Sequence, residues 1–419
     1  MKFKLPILAL GILISISQIS QISQAATPPN LNDRIDCKRY IDETFSETVE
    51  MLSREDLPPA PNYDLLSKAV EKYYGDSNKI ILDDLGYPSI MVRFDSFKDM
   101  RKKVHPMFKV DEKFYPCVYI GKYESIVFHD RAYSLPNVDP TTQVDIDDAR
   151  EFSINKGIGW HLMTNVEYAG LARYCREHDF YPHGNTNTNQ SEEFYPGESG
   201  RITIEERSDD GKILTRRMAT GSGPKTWAHN GEESGIYDLN GNIWEIADGV
   251  RLVNGEIQVI ADNNAVLPEH WNDWKAVNKR GKLVNPGSKN TWKLDCNISA
   301  DQAVFHEIPD AYPFLSLTRE HMMYPEDVDE DFGFAGCEFK NIKATHKTPL
   351  ILELHLIASP KNVENFPDDG FWVRNYGTRR LMRGGMWARS AGMFGGTFAG
   401  TWNDKSPGMG FRISYIELE

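Results

Sequence analysis

The chain has 419 residues, 40% hydrophobic and 11% aromatic, with a formal net charge of −14. That content suffices for a sizeable core in up to two or three domains, and it argues against disorder over most of the length. The acidic balance argues against nucleic acid or an anionic membrane as the main partner, since both require clustered Lys and Arg.

The first residues have the form of an export signal. Lys2 and Lys4 precede an apolar run from Leu5 to Ile16, and Ser23 and Ala25 place small residues before a cleavage point between Ala25 and Ala26. The run is short for a membrane span. No cysteine stands at the cleavage point, so no lipid anchor is indicated there, and no later segment is apolar enough to span a membrane. The expectation is an exported chain, periplasmic, cell-surface or secreted, with residues 1–25 removed. Five cysteines (Cys37, Cys117, Cys175, Cys296, Cys337) leave at least one thiol unpaired in a monomer, and none has CxxC spacing.

Residues 26–79 read as a leader segment. It is proline-punctuated, with one amphipathic helix from Tyr63 to Tyr74 whose apolar face is Leu65, Leu66, Ala69, Val70 and Tyr73. So short a helix either docks on the main domain or mediates assembly. The main domain is expected over 80–419. Tyr87–Phe94 and Cys117–Glu124 are strand-like. Asp145 is placed to cap a helix with Ile146, Ala149 and Phe152 inward, ended by Gly157. Thr164 and Glu167 have capping-box spacing for a second helix, whose inner stripe is Tyr168, Leu171, Ala172 and Cys175. The Asn/Gly/Ser/Thr-rich stretches 184–190 and 221–225 read as surface loop, and His178 and His183 as surface residues beside it. After Asn242 strands and loops dominate. Phe411, Ile413 and Tyr415 alternate with Arg412 and Ser414, the pattern of a half-buried strand. The fold class is α+β: two short helices, then many strands and long loops.

Three stretches, in order, resemble one family. Gly159-Trp-His-Leu-Met-Thr-Asn-Val-Glu-Tyr168, Gly235-Ile-Tyr-Asp-Leu-Asn-Gly-Asn-Ile-Trp-Glu245 and Arg383-Gly-Gly-Met-Trp387 with Gly410-Phe-Arg412 resemble formylglycine-generating-enzyme-like domains of the C-type lectin fold. Within that fold, Tyr87–Arg93, Tyr119–Tyr123, Arg131–Pro136 and Arg251–Ile257 resemble the phage receptor-binding proteins and the variable proteins of diversity-generating retroelements. The resemblance implies a lectin-like scaffold whose last strands and loops form a ligand-binding face. Loops suit that role because they tolerate sequence change while the framework holds position.

The family's oxidases carry paired C-terminal thiols that bind copper(I). This chain has no cysteine after Cys337, and Trp387–Phe394 occupies the place where they would begin. The family's sulfoxide synthases use a histidine-bound iron in an added helical domain. The leader is too short for that domain, and no HxxxH or HxH spacing occurs. GxSxG is missing too. The chain is therefore expected to be non-catalytic.

The resemblance also implies a structural calcium at Glu245, with backbone oxygens from Asn240, Gly241 and Ile243; the alternative is a carboxylate paired with a core-edge Arg. No other cofactor is indicated. Asn240-Gly241 supplies a positive-φ turn, and Trp244, Phe411 and Ile413 are expected scaffold residues.

The expected ligand-binding face lies in the Gly-rich segment Gly384–Gly410: Arg389, Ser390, Thr397, Trp402, Asn403, Asp404 and Lys405. Trp387 and Phe394 are assigned to the core. In retroelement-diversified relatives the variable codons are adenine-rich. An Asn codon changed only at adenine reaches Ala, Arg, Ser, Thr, Gly or Asp but not Trp, Lys or Met. If the segment is diversified, Trp402, Lys405 and Met409 are its fixed positions.

The expected function is an exported, non-catalytic binding protein for a protein or glycan ligand on a cell or phage surface. The alternatives are an enzyme of the same fold with other chemistry, and a phage receptor-binding protein, which the export signal disfavours.

Overall fold

A computed structural model describes residues 26–98, 102–186, 195–297, 311–321, 335–344, 349–358 and 367–418, apart from the side chains of Arg389 and Ser390. The expected export signal lies outside the described residues. The architecture is α+β. Among the described residues no helix is long and apolar enough to cross a membrane.

A long N-terminal helix comes first, which the sequence pattern did not suggest. Asp33 accepts hydrogen bonds from the backbone N–H of Ile35 and Asp36 and starts α1 (Arg34–Leu52). Cys37, Ile41, Phe45, Thr48 and Leu52 recur every three or four residues and are buried. The helix expected in the leader segment forms as α2 (Asp64–Tyr74), with Leu66, Ala69, Val70 and Tyr74 inward. The two helices dock on the rest of the chain, because their apolar faces share one cluster with Tyr87, Ile90, Tyr133, Trp227 and Tyr237.

Lys122 fastens this junction. Its buried ammonium donates to Asn78 Oδ1 (2.9 Å), Glu233 O (2.6 Å) and Gly235 O (2.7 Å) and lies 4.3 Å from the centre of the Tyr74 ring. Burial pulls its pKa well below the ordinary lysine value.

The two predicted capped helices are present. In α3 (Ile146–Ile154) Asp145 and Asp148 form a capping box, and in α4 (Asn165–Glu177) Thr164 and Glu167 do the same. The inner stripe of α4 is buried as expected. The helix α3 stops at Ile154, before Gly157. A five-residue helix, α5 (Pro349–Glu353), comes late in the chain.

Five antiparallel strands form one sheet in the order Asn78–Leu82, Pro88–Asp95, Cys117–Gly121, Ile413–Tyr415 and Trp160–Leu162. The last strand of the chain thus inserts between two early ones. A second sheet of twelve strands is mixed, and strand Trp244–Val253 pairs in it with Thr378–Met386 and Glu256–Val259.

The chain changes sheets at Arg412. Strand Met409–Phe411 runs parallel to Trp244–Val253, and Ile413–Tyr415 then enters the five-stranded sheet. Both sides of the crossing are therefore covered. Arg412 and Ser414, expected to face outward, are fully buried. Trp244, Phe411 and Ile413 are buried together beneath α3.

Of the stretches read as surface loop, Asn185 and Thr186 are buried and 187–194 lie outside the described residues. Asn185 lies against Gly241, where φ is +82° and a Cβ would come within 2.1 Å of Asn185 O. All five cysteines are free, and four of them are buried.

Candidate ligand-binding face

The segment after Phe398 is held by Arg379 and Arg380 on strand Thr378–Met386, neither of which was singled out from the sequence. Arg379 Nη1 donates to Ala399 O (3.0 Å). Arg380 Nη1 donates to Trp402 O (2.9 Å), and its Nη2 to Asp404 O (2.5 Å). Arg383 is enclosed, donating to Asn165 Oδ1 and to the carbonyls of Phe394, Gly395, Leu354 and His355. Each guanidinium offers a rigid fork of donors, so three buried cations become three backbone clamps. Desolvation lowers the pKa of both Arg380 and Arg383 to about 10, which leaves them charged at neutral pH.

Asp404 closes the turn from its other side, accepting hydrogen bonds from Thr401 N (2.7 Å) and Thr401 Oγ1. The turn presents Trp402 half-buried and Asn403 exposed. Trp402 Nε1 donates to Asp147 Oδ2 (3.2 Å) in the first turn of α3. Lys405 pairs with Asp145 (3.2 Å) and with Asp148, and these bonds raise its pKa. The loop is thereby seated on the N-terminus of α3.

Around the indole lies a cluster of tryptophans and arginines. Trp274 meets Trp402 edge to face, with centroids 6.0 Å apart. Arg150 lies 5.3 Å from the Trp402 ring and 4.8 Å from Trp271, and its charge is matched by Asp248 through two bonds of 2.7 Å. Arg251 stacks 4.2 Å over Trp274 and lies 6.0 Å from Trp402. Its Nε donates to Gln258 Oε1 (2.9 Å), and among the described residues no carboxylate pairs with it. Burial, and then the charge of Arg150, pulls the Arg251 pKa to about 10, so it too remains a cation at neutral pH. An aromatic face beside an unmatched guanidinium can stack a planar or sugar ring and accept an oxygen-rich or anionic group.

Of the seven residues expected on this face, Trp402, Asn403, Asp404 and Lys405 come together. Arg389 and Ser390 sit where strand Arg389–Phe398 turns back from Thr378–Met386; their side chains are outside the described part. Thr397 is a correction. It is 4% exposed, between Met382 and Trp372 in the sheet, and its hydroxyl accepts from Ala399 N (2.9 Å), so it serves the framework. Trp387 and Phe394 are buried as assigned. Arg150, Arg251, Trp271 and Trp274 were not expected on this face. The available signals were the close pair Trp271/Trp274 and an arginine amid the apolar run Val250–Val253.

At the expected calcium position, Glu245 gives both carboxylate oxygens to Arg412: Oε2 to Nε (2.9 Å) and Oε1 to Nη2 (2.5 Å). Arg412 also donates to Gly121 O and Tyr237 O. Asn240 turns its amide to Pro182 O, and the backbone N–H of Ile243 donates to Glu124. Two further buried carboxylates share this surrounding. Burial and their acidic neighbours push Glu124 well above the usual carboxylate range, and burial pushes Asp238 up to about 6. The guanidinium is the cation among these acids, and a calcium at Glu245 would have to displace it. Among the described residues no cluster of three or more His, Cys, Asp or Glu side chains is suited to a metal.

No family model and no curated protein matches the chain.

Proposed function

We propose that the chain is an exported, non-catalytic binding protein, and that its ligand, a surface glycan or protein, docks on the face built from Trp402, Asn403, Lys405 and Arg251. The observation that carries this reading is the half-buried Trp402 indole, held at a fixed place by Arg380 beside an Arg251 that no carboxylate among the described residues matches. Half-exposed Trp next to Arg is the composition of recognition hot spots.

We assign the scaffold to the C-type lectin fold of the formylglycine-generating-enzyme type. Support comes from the three ordered motifs, and from the last strand lying between Cys117–Gly121 and Trp160–Leu162. The retroelement-type variable proteins are the subgroup whose face this one resembles. An adenine-rich near-copy of the 383–412 coding segment beside a reverse transcriptase gene would identify the diversified form.

The test is a glycan array, with neutral and uronic-acid sugars, probed in parallel with wild type, Trp402→Ala and Arg251→Ala. Saturable binding by wild type that each substitution weakens, at an unchanged melting temperature, is the expected result. Ligands bound equally by all three proteins would place the site elsewhere. The mature protein is expected to begin at Ala26, which intact-mass measurement checks.

A further inference from the structure

A cavity of about 370 Å³ opens between strand Pro88–Asp95, the last turn of α4 and the 228–236 loop, and it shares no residue with the Trp402 face. Its volume falls within the range of small-molecule sites. The walls are aromatic. Phe94 and Tyr174 meet edge to face at 6.0 Å, and the His229 ring lies 5.5 Å from Phe94 and 5.2 Å from Tyr174. His178 stacks on Tyr174 at 4.0 Å and extends the wall to the rim.

One ring nitrogen of a buried histidine there has no hydrogen-bond partner among the described residues. His229 is 3% exposed, and its Nδ1 accepts the backbone N–H of Ile236 (2.8 Å). A neutral imidazole that accepts on Nδ1 carries its proton on Nε2. Burial, and then the Lys122 charge, pulls the His229 pKa to about 3, so the ring stays neutral throughout the physiological range. Among the described residues nothing hydrogen-bonds Nε2. His229 lines the cavity, and with Nδ1 engaged by Ile236 its Nε2–H is the ring donor it can offer there.

The charges at the mouth are matched. Arg93 bonds Asp95 (2.8 Å), and Glu177 bonds Arg173 (2.7 Å), so the rim selects neither an anion nor a cation.

We propose that this cavity binds a neutral, planar aromatic molecule bearing a carbonyl or ring-nitrogen acceptor, with the acceptor on His229 Nε2–H and the ring against Phe94 and Tyr174. The site is independent of the Trp402 face.

Benzamide is the probe, titrated into the mature full chain and followed by ligand-observed saturation-transfer NMR and by long-range ¹H–¹⁵N correlation of the imidazoles. Saturable binding in the millimolar range is expected, with a shift of the His229 Nε2 resonance. Toluene, which lacks the acceptor, should bind at least about fivefold more weakly. Ser77→Trp, at an exposed position on the cavity wall, should weaken benzamide about tenfold or more, whereas Trp402→Ala should leave it unchanged. The proposal is overturned if benzamide does not saturate, if toluene binds equally, if the His229 resonance is unmoved, or if Ser77→Trp has no effect.

Discussion

Replacing Arg412 by Met removes the only positive charge among the described residues within bonding distance of Glu245 and leaves Glu124, Asp238 and Glu245 buried together. Breaking one side of a buried pair costs about 3–5 kcal/mol, because the remaining charge has no compensation. Arg412 also supplies two carbonyls with donors, Gly121 O and Tyr237 O, so the upper part of that range is expected. Urea unfolding at pH 7 measures it. Acid should narrow the deficit, since protonating the unpaired carboxylate removes the uncompensated charge from the variant. The double variant Arg412→Met/Glu245→Leu should recover most of the loss, because an apolar pair of similar volume is often neutral or better. Calcium and chelator should leave the wild-type melting temperature unchanged. A ligand selective for the native state must raise it, so a calcium-dependent rise, or an Arg412→Met cost below about 1 kcal/mol, would refute the assignment of the guanidinium as the resident cation.

Asp369 gives a pH test. Burial pushes its pKa up to about 7 even though it accepts the Phe394 backbone N–H (2.8 Å). A carboxyl whose folded pKa exceeds its unfolded one stabilises the fold fully below the unfolded value and loses that contribution as pH rises to the folded value. Asp369→Asn should therefore gain on wild type between about pH 4 and 7, by up to about 4 kcal/mol; a difference that stays flat across this window in chemical unfolding would count against it. Phe45→Ala on α1 should cost about 3–5 kcal/mol, read as one cooperative transition, whereas separate melting of the helices would contradict their docking. Thiol titration should find all five cysteines after unfolding and little reactivity at Cys37, Cys117, Cys175 and Cys296 before it. Reductant should not move the melting temperature.

Local signals were legible and non-local ones were not. The helices α3 and α4 announce themselves through capping boxes, whose chemistry is complete within four residues. The helix α1 was missed because Thr44 and Thr48 interrupt its apolar face, and only contact with Tyr63 and the main domain makes that face a core. Arg379, Arg380, Arg383 and Arg412 look like surface residues by composition, yet all four are buried. Their partners are backbone carbonyls and single side chains far along the chain, which no pattern of charges encodes. Trp402 was identified from its polar neighbourhood. Its true companions come from α3, strand Trp244–Val253 and the 264–274 segment, brought together only by the fold.

The way the loop is tethered bears on what its side chains can be. Arg379 and Arg380 grip the carbonyls of Ala399, Trp402 and Asp404, so the backbone path does not depend on which side chains stand at 402 and 403. Asp404 is different, since its own carboxylate closes the turn on Thr401. Among the described residues, Asn403 is exposed and makes no side-chain hydrogen bond, which makes it the least constrained residue of the turn. A framework that fixes a loop through its main chain permits substitution at the outward positions at little cost in stability. On that ground Asn403 is the position of the turn most tolerant of substitution, whereas Asp404, whose carboxylate closes the turn, belongs with the framework.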